Sequence, residues 1–355
     1  MLLKILVFMI YIGFPQKLNY MERITDSEDL KISMWVTVIK VAEIRNHSSI
    51  TQFILLGLTD SPELQILLFW VFAFIYVLAL TVNFLLIFII SNFKKLHTPM
   101  YFLIFNLSLI NILSVSVTIP RLLQSLWTHR KMISFNGCIT QVFFIIWALG
   151  SELVLLSFMA FDRYAAICHP LHYTIIMRKE VCVGIAIFVW IAGMINTAVH
   201  TGLMLHLSFC DSNVIHHFFC DIPPVLDLAC SDISINEFMT KVANVVYGMG
   251  SCGLTLTSYF FILRTIFRIR SIEGKKKAFS TCSSHLFVIS FYFSAIIYTY
   301  IRPSSVHSLD KDKLVSLIYS AVTPIVNPLI YSLRNKDFKE GMKVLTGNFR
   351  MLSRS

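Results

Sequence analysis

LLSFMAFDRYAAICHPLHY, residues Leu155 to Tyr173, is an apolar run that ends on a charged pair, Asp162 and Arg163. Tyr164 follows the pair, and Pro170 stops the helix soon after. An ion pair beside a long apolar run is expensive unless it sits at the end of a membrane span. The stretch therefore marks where a long helix meets the cytosol.

The rest of the chain agrees with that reading. Of 355 residues, 56% are hydrophobic and 14% charged, and the mean hydropathy is +0.71. An ordinary soluble domain carries about 25% charge, so most of this chain must face lipid or its own interior. The net charge of +10 raises the question of nucleic acid, and its distribution answers it. Arg264, Arg268, Arg270 and Lys275 to Lys277 cluster in one region, whereas His200 to Glu237 contains five acidic residues and no Lys or Arg. That sidedness fits the positive-inside rule. The aromatic residues lie in apolar runs rather than between basic ones, so no platform for bases is read, and membrane lipid is the expected surrounding.

Ile66 to Ser91 contains no charge and is long enough to cross a hydrocarbon core of about 30 Å at ~1.5 Å per residue. Lys94 and Lys95 follow it and place that end inside. Further spans are expected over residues 99–123, 138–167, 181–198 and 238–267, within and beyond 277–292, and over 314–333. Arg121, Arg130 and Lys131 between spans two and three, and Arg302, Lys311 and Lys313 between six and seven, run against the sidedness. Asn83 and Asn111 can bridge spans one and two. Glu152, an acid within span three, reads as functional, or as a neutral acid bonded to a neighbouring helix. Pro328 removes a backbone hydrogen bond in span seven, and Asn327 can satisfy a freed carbonyl or hold water.

Five motifs in order carry a family resemblance over residues 46–340. MAFDRYAAICHPLHY resembles the olfactory-receptor signature MAYDRYVAICHPLHY, with Phe161 in place of tyrosine and Ala165 in place of valine. Pro99 to Phe102 reads PMYF, and Lys277 to Tyr292 reads KAFSTCSSHLFVISFY. LSFCDSNVIHHFFCDIPPVLDLACSD resembles the second outer loop of that family, and PIVNPLIYSLRNKDF its last span. The chain is identified by these as similar to class II (tetrapod-type) olfactory receptors, a branch of the rhodopsin-like G-protein-coupled receptors. The implied fold is all-α, a seven-transmembrane helix bundle. The chain departs from the pattern at Val82, Asn111 and Phe293, where the family usually carries glycine, aspartate and glycine.

The resemblance divides the chain into an atypical extension at 1–45, an extracellular tail at 46–65, the bundle at 66–333 and a cytoplasmic tail at 334–355. Residues 1–15 have a lysine and a short apolar core, but no clear small-residue cleavage site follows. Phe338, Met342, Leu345 and Phe349 have helical spacing and read as a short interfacial helix. Asn46 heads a glycosylation sequon on the outer tail. A second sequon at Asn106 lies in an apolar run and is expected to be buried and unmodified. Of eight cysteines, Cys138, Cys210, Cys220 and Cys230 lie on the outer, oxidising side, where three pairings are open. The resemblance implies Cys138 with Cys220 and Cys210 with Cys230. His216 and His217 show no further ligand spacing, so no metal and no cofactor are read.

No Walker loop, nucleophile elbow or HExxH appears, so an enzyme is not expected. Two related halves with interrupted spans would favour a transporter, and none is seen; the wording of spans three and six sets the chain apart from hormone receptors. The resemblance implies a receptor at the plasma membrane, N-terminus outside, that binds small volatile odorants and activates a stimulatory, olfactory-type G protein to raise cAMP. By position relative to the motifs, the pocket candidates are Ile145, Ile146, Leu149 and Gly150 in span three and Asn244 and Tyr247 in span five. Ile296 and Thr299 in span six and Leu317 and Ser320 in span seven complete the set. Coupling and activation are implied for Asp162, Arg163, Tyr164, Tyr259, Asn327, Pro328 and Tyr331.

Overall fold

The computed structural model describes residues 50–128, 131–210, 212–276, 309–333 and 338–342, and residues 279, 282, 283, 286, 289, 290 and 294 between them. Asn46, Ile296 and Thr299 lie outside the described residues, as does the side chain of Tyr331. The order is a strand β1 (Gln52–Leu55), α1 (Pro62–Asn92), α2 (Pro99–Thr128), β2 (Met132–Ser134), α3 (Phe135–Cys168), α4 (Lys179–Leu205), β3 (Val214–Ile215) and α5 (Ser234–Arg268). A last helix, corresponding to span seven, runs over 309–333. Among the described residues, six helices are long and apolar enough to cross a membrane.

Length and composition account for the helices, and lipid accounts for their outer faces. Trp70, Phe74, Val77 and Phe84 on α1, and Phe238, Val246 and Phe260 on α5, are all more than half exposed. Such continuous apolar surface belongs against lipid. The helices differ in how deeply they sit. In the most apolar part of α3, 72% of residues are buried, against 28% in α1, so α3 is the axis and α1 a flank.

Small residues set the closest approach. A Cβ at Gly193 of α4 would come 2.2 Å from Ser151 Oγ and 2.9 Å from the Trp147 carbonyl of α3. That contact lets Trp147 Nε1 donate to the Trp190 carbonyl at 3.0 Å, while Trp190 Nε1 donates to Asn106 Oδ1 of α2 at 3.1 Å. Asn106 is therefore a buried fastener of α2 to α4.

Helix α4 ends later than the sequence reading placed it. α4 continues to Leu205, two turns beyond Ala198, because Thr197, His200 and Thr201 are polar yet buried. Thr197 and Thr201 hydrogen-bond to carbonyls, Phe143 of α3 and Thr197 itself, so their hydroxyls do not end the helix. The fold also adds a small sheet to the helical bundle, in the order β2-β1-β3. β1 pairs antiparallel with β2, Phe53 opposite Ile133, and parallel with β3, Leu55 opposite Ile215. Phe53 and Leu55 point inward and are fully buried. Gly57 has φ +79°, which suits a residue without Cβ, and there the chain leaves the sheet for α1.

Candidate functional site

The outer half of the bundle contains a small cavity between α3, α4 and α5. Ile146, Leu149, Gly150 and Leu153 line it from α3, Asn196 and His200 from α4, and Asn244 and Tyr247 from α5. Ile222 closes it from the outer loop. Asn244, Tyr247 and Gly248 come from a widened turn, Asn244–Gly250, with i→i+5 bonding, a local form frequent at functional sites. Tyr247 spends its hydroxyl on the Ala192 carbonyl at 2.8 Å, tying α5 to α4.

Five of the ten pocket residues named from sequence meet here: Ile146, Leu149, Gly150, Asn244 and Tyr247. Ile145, Leu317 and Ser320 do not line the cavity. Successive helix residues point about 100° apart, so Ile145 faces away from its neighbour Ile146. It packs with Val115, Phe219 and Tyr319, where Leu317 also packs. Ser320 donates to the Ser316 carbonyl at 2.6 Å. The reading that placed spans six and seven around the pocket omitted α4, whose Asn196 and His200 supply two of the polar groups. Their i, i+4 spacing was the available signal, hidden by ending span four at Ala198.

The roof is pinned by the two disulfides, Cys138–Cys220 and Cys210–Cys230, the pairs the resemblance implies. Gln141 of α3 holds the same loop, accepting from the Cys220 amide at 2.9 Å and donating to the Val117 carbonyl of α2 at 3.0 Å. Farther round, His217 Nε2 lies 3.3 Å from Ser316 Oγ, and Tyr319 donates to Asp221 Oδ2 at 3.2 Å. Burial, with Lys313 nearby, pushes His217 down to about 3.

A polar chain crosses the middle of the bundle. Pro328 has no N–H, which leaves the carbonyl four residues back, that of Pro324, without its helical donor. Asn83 of α1 fills the gap, donating to Pro324 O at 2.9 Å, and accepts in turn from Asn111 of α2 at 3.1 Å. The freed carbonyl is thus served by Asn83 and not by Asn327. Asn327 donates to Glu152 Oε1 of α3 at 2.9 Å, so the buried acid is bonded to the last helix.

At the inner end, Asp162 is fully buried. Its Oδ1 accepts from Tyr173 of the inner loop at 2.8 Å, while Arg163 Nε stands 3.9 Å from Oδ2. Tyr164 Oη is 3.0 Å from His169 Nε2. Tyr259 of α5 donates to the carbonyl of Cys282 at 3.4 Å.

Comparison with known proteins decides what this architecture is. The sequence profile of the family described as "Olfactory receptor" matches residues 72–347. The chain belongs to the olfactory receptor family. Human olfactory receptor 13G1 is 46% identical over 298 residues, covering 84% of this chain and 97% of that protein. Human olfactory receptor 13A1 is 47% identical over 305 residues, covering 86% and 93%. Mouse olfactory receptor 5AR1 is 43% identical over 302 residues, covering 85% and 97%. The chain is accordingly a multi-pass, odorant-binding G-protein-coupled receptor and not an enzyme. Within an olfactory receptor, the cavity and the Asp162–Arg163 pair stand at opposite ends of one helix, with Gly150 and Arg163 about 20 Å apart along α3 at ~1.5 Å per residue.

Proposed function

We propose that this olfactory receptor takes its odorant in the cavity between α3, α4 and α5 and transmits binding along α3 to a stimulatory, olfactory-type G protein at Arg163, raising cAMP. The N-terminus is outside and the C-terminus inside. Disulfides at one end and the basic run Arg264, Arg268, Arg270, Lys275 and Lys276 at the other support that orientation.

The observation that carries the reading is the asymmetry around Asp162. One carboxylate oxygen is held by Tyr173 at 2.8 Å, while Arg163 keeps only a 3.9 Å contact with the other. Arg163 is a pure donor with five N–H groups, so a loosely held guanidinium can exchange its partner for carbonyls of a docking G protein. Odorant binding shifts the population between two bundles: α5 and the span bearing Cys282 separate at their inner ends, and the Tyr259–Cys282 bond breaks. Tyr331 and the Asn327–Glu152 contact take part from the last helix.

The test compares surface labelling with odorant-driven cAMP in parent, Arg163→Lys and Arg163→Ala receptors. Arg163→Ala is expected to reach the surface and lose cAMP. Full signalling per surface receptor in that variant would exclude the coupling role, and a parallel fall in surface amount and signal would reduce Arg163 to an anchor.

A further inference from the structure

We propose that the receptor's ligands are uncharged oxygenated volatiles (alcohols, aldehydes and ketones) whose oxygen is read by His200 and Asn196. This rests on the cavity being the odorant site. His200 lines that cavity and is 5% exposed, yet among the described residues its ring makes no hydrogen bond. Asn196, one turn earlier on α4, lines the same space, and its amide likewise makes none among the described residues. The remaining hydroxyls at the wall have spent their protons, Tyr247 on Ala192 O and Thr240 on Asn236 O. Buried polar groups are normally paired; His200 is buried and Asn196 half-buried, and both line the cavity with hydrogen-bonding capacity left for what enters it.

Their chemistry selects the class. A neutral imidazole offers one donor and one acceptor, and an amide offers both. A ligand hydroxyl can accept from one and donate to the other, and a carbonyl oxygen can accept from both. The opposing wall, Ile146, Leu149, Leu153 and Ile222, is apolar and suits a hydrocarbon body. Among the described residues no Lys or Arg lines the cavity, so none of them neutralises a carboxylate. The cavity encloses about 50 Å³, against roughly 300–1,000 Å³ for sites of drug-sized ligands. The site must therefore widen to take even a compact ligand. A hydrocarbon would leave both side chains unpaired, a handicap of about ten- to a hundredfold in potency relative to its oxygenated counterpart.

The experiment uses the full chain in a cAMP reporter cell, with signals normalised to surface label. The probes are alkanes, alkanols, alkanals, alkan-2-ones and alkanoic acids of matched chain length, in straight and cyclic frames. Alkanols, alkanals or ketones are expected to activate. For an active one, His200→Leu and Asn196→Leu are each expected to shift the response about ten- to a hundredfold to higher concentration, and His200→Gln, which keeps a donor and an acceptor, to restore most of it. Activation by alkanes or acids alone, no activation by any probe, or unchanged potency in both leucine variants overturns the proposal. Basal cAMP above that of Arg163→Ala separates a receptor that couples but reads another ligand from one in which the coupling reading has failed too.

Discussion

At the scale of single residues, two glycines near the cavity make opposite demands. At Gly150 an added Cβ would meet Asn196 Nδ2 at 3.5 Å and the Gly193 Cα at 3.6 Å, ordinary contacts. At Gly193 it would sit 2.2 Å from Ser151 Oγ and 2.9 Å from backbone oxygen of Trp147. The serine can turn away at the loss of its 3.3 Å bond to Val189 O, but the carbonyl cannot. Gly193→Ala is therefore expected to cost about 1–3 kcal/mol by overpacking and to lower surface amount, with partial recovery in Gly193→Ala/Ser151→Ala. Gly150→Ala is expected to reach the surface normally and to alter only odorant potency. Equal surface labelling of the two single variants would refute this account. The contrast also shows what the sequence can hold. Asp162 and Arg163 are legible because a charged pair after an apolar run has one inexpensive place. Ile145 and Ile146 are equally apolar neighbours, and only the arrangement of the surrounding helices decides that the second lines the cavity. The disulfide partners came from family resemblance, since four outer cysteines by themselves leave three pairings open.

At the scale of elements, the spans follow from length and hydropathy, while the outer sheet does not. β1 has four residues and pairs with segments about 80 and 160 positions away, so no local pattern announces it. It is nevertheless the central strand, and Phe53 packs against Phe209 and Phe135 with ring centroids 5.4 and 5.8 Å apart. Residues Gln52–Leu55 are thus part of the folded outer cap. Deleting residues 2–42 is expected to leave trafficking and signalling intact. Deleting residues 2–57, or replacing Phe53 by Ala at a cost of about 3–5 kcal/mol, is expected to reduce surface receptor. Surface labelling of the three variants decides: loss in the short deletion would show that the first segment is needed, and retention in the other two would show that the sheet is not.

At the scale of the whole molecule, the outer loop joins elements that the lipid-embedded helices leave apart. It is fixed to α3 by Cys138–Cys220, to the tail by the Gly57 amide on the His217 carbonyl at 3.2 Å, and to the last helix through His217–Ser316 and Asp221–Tyr319. Cys220→Ser removes the covalent anchor and is expected to cost about 2–5 kcal/mol and most surface receptor; a free Cys138 thiol in the mature parent would contradict the pairing. His217 makes the same cap sensitive to acid. Its ring is buried against Phe218 and Phe219 and stands near Lys313 of the last helix, so its folded pKa is depressed to about 3 by burial first and the lysine second. In an unfolded chain a histidine titrates near ~6.5. Between those values the unfolded state binds a proton that the folded state refuses, so the contribution is fully present above about 6.5 and is lost as pH falls toward 3. At pH 5 the loss is roughly 2 kcal/mol, or about 1.4 kcal/mol for each of ~1.5 units. Lys313, Asp221 and Tyr319, which donates to Asp221, are the other ionisable groups around this contact; they are common to parent and variant. Thermal unfolding of detergent-solubilised receptor should therefore shift downward more steeply between pH 7 and 5 in the parent than in His217→Gln. Parallel pH dependences for the two would show that the imidazole is solvated in the folded receptor and that the loop is held to the last helix by Asp221 and Tyr319 alone.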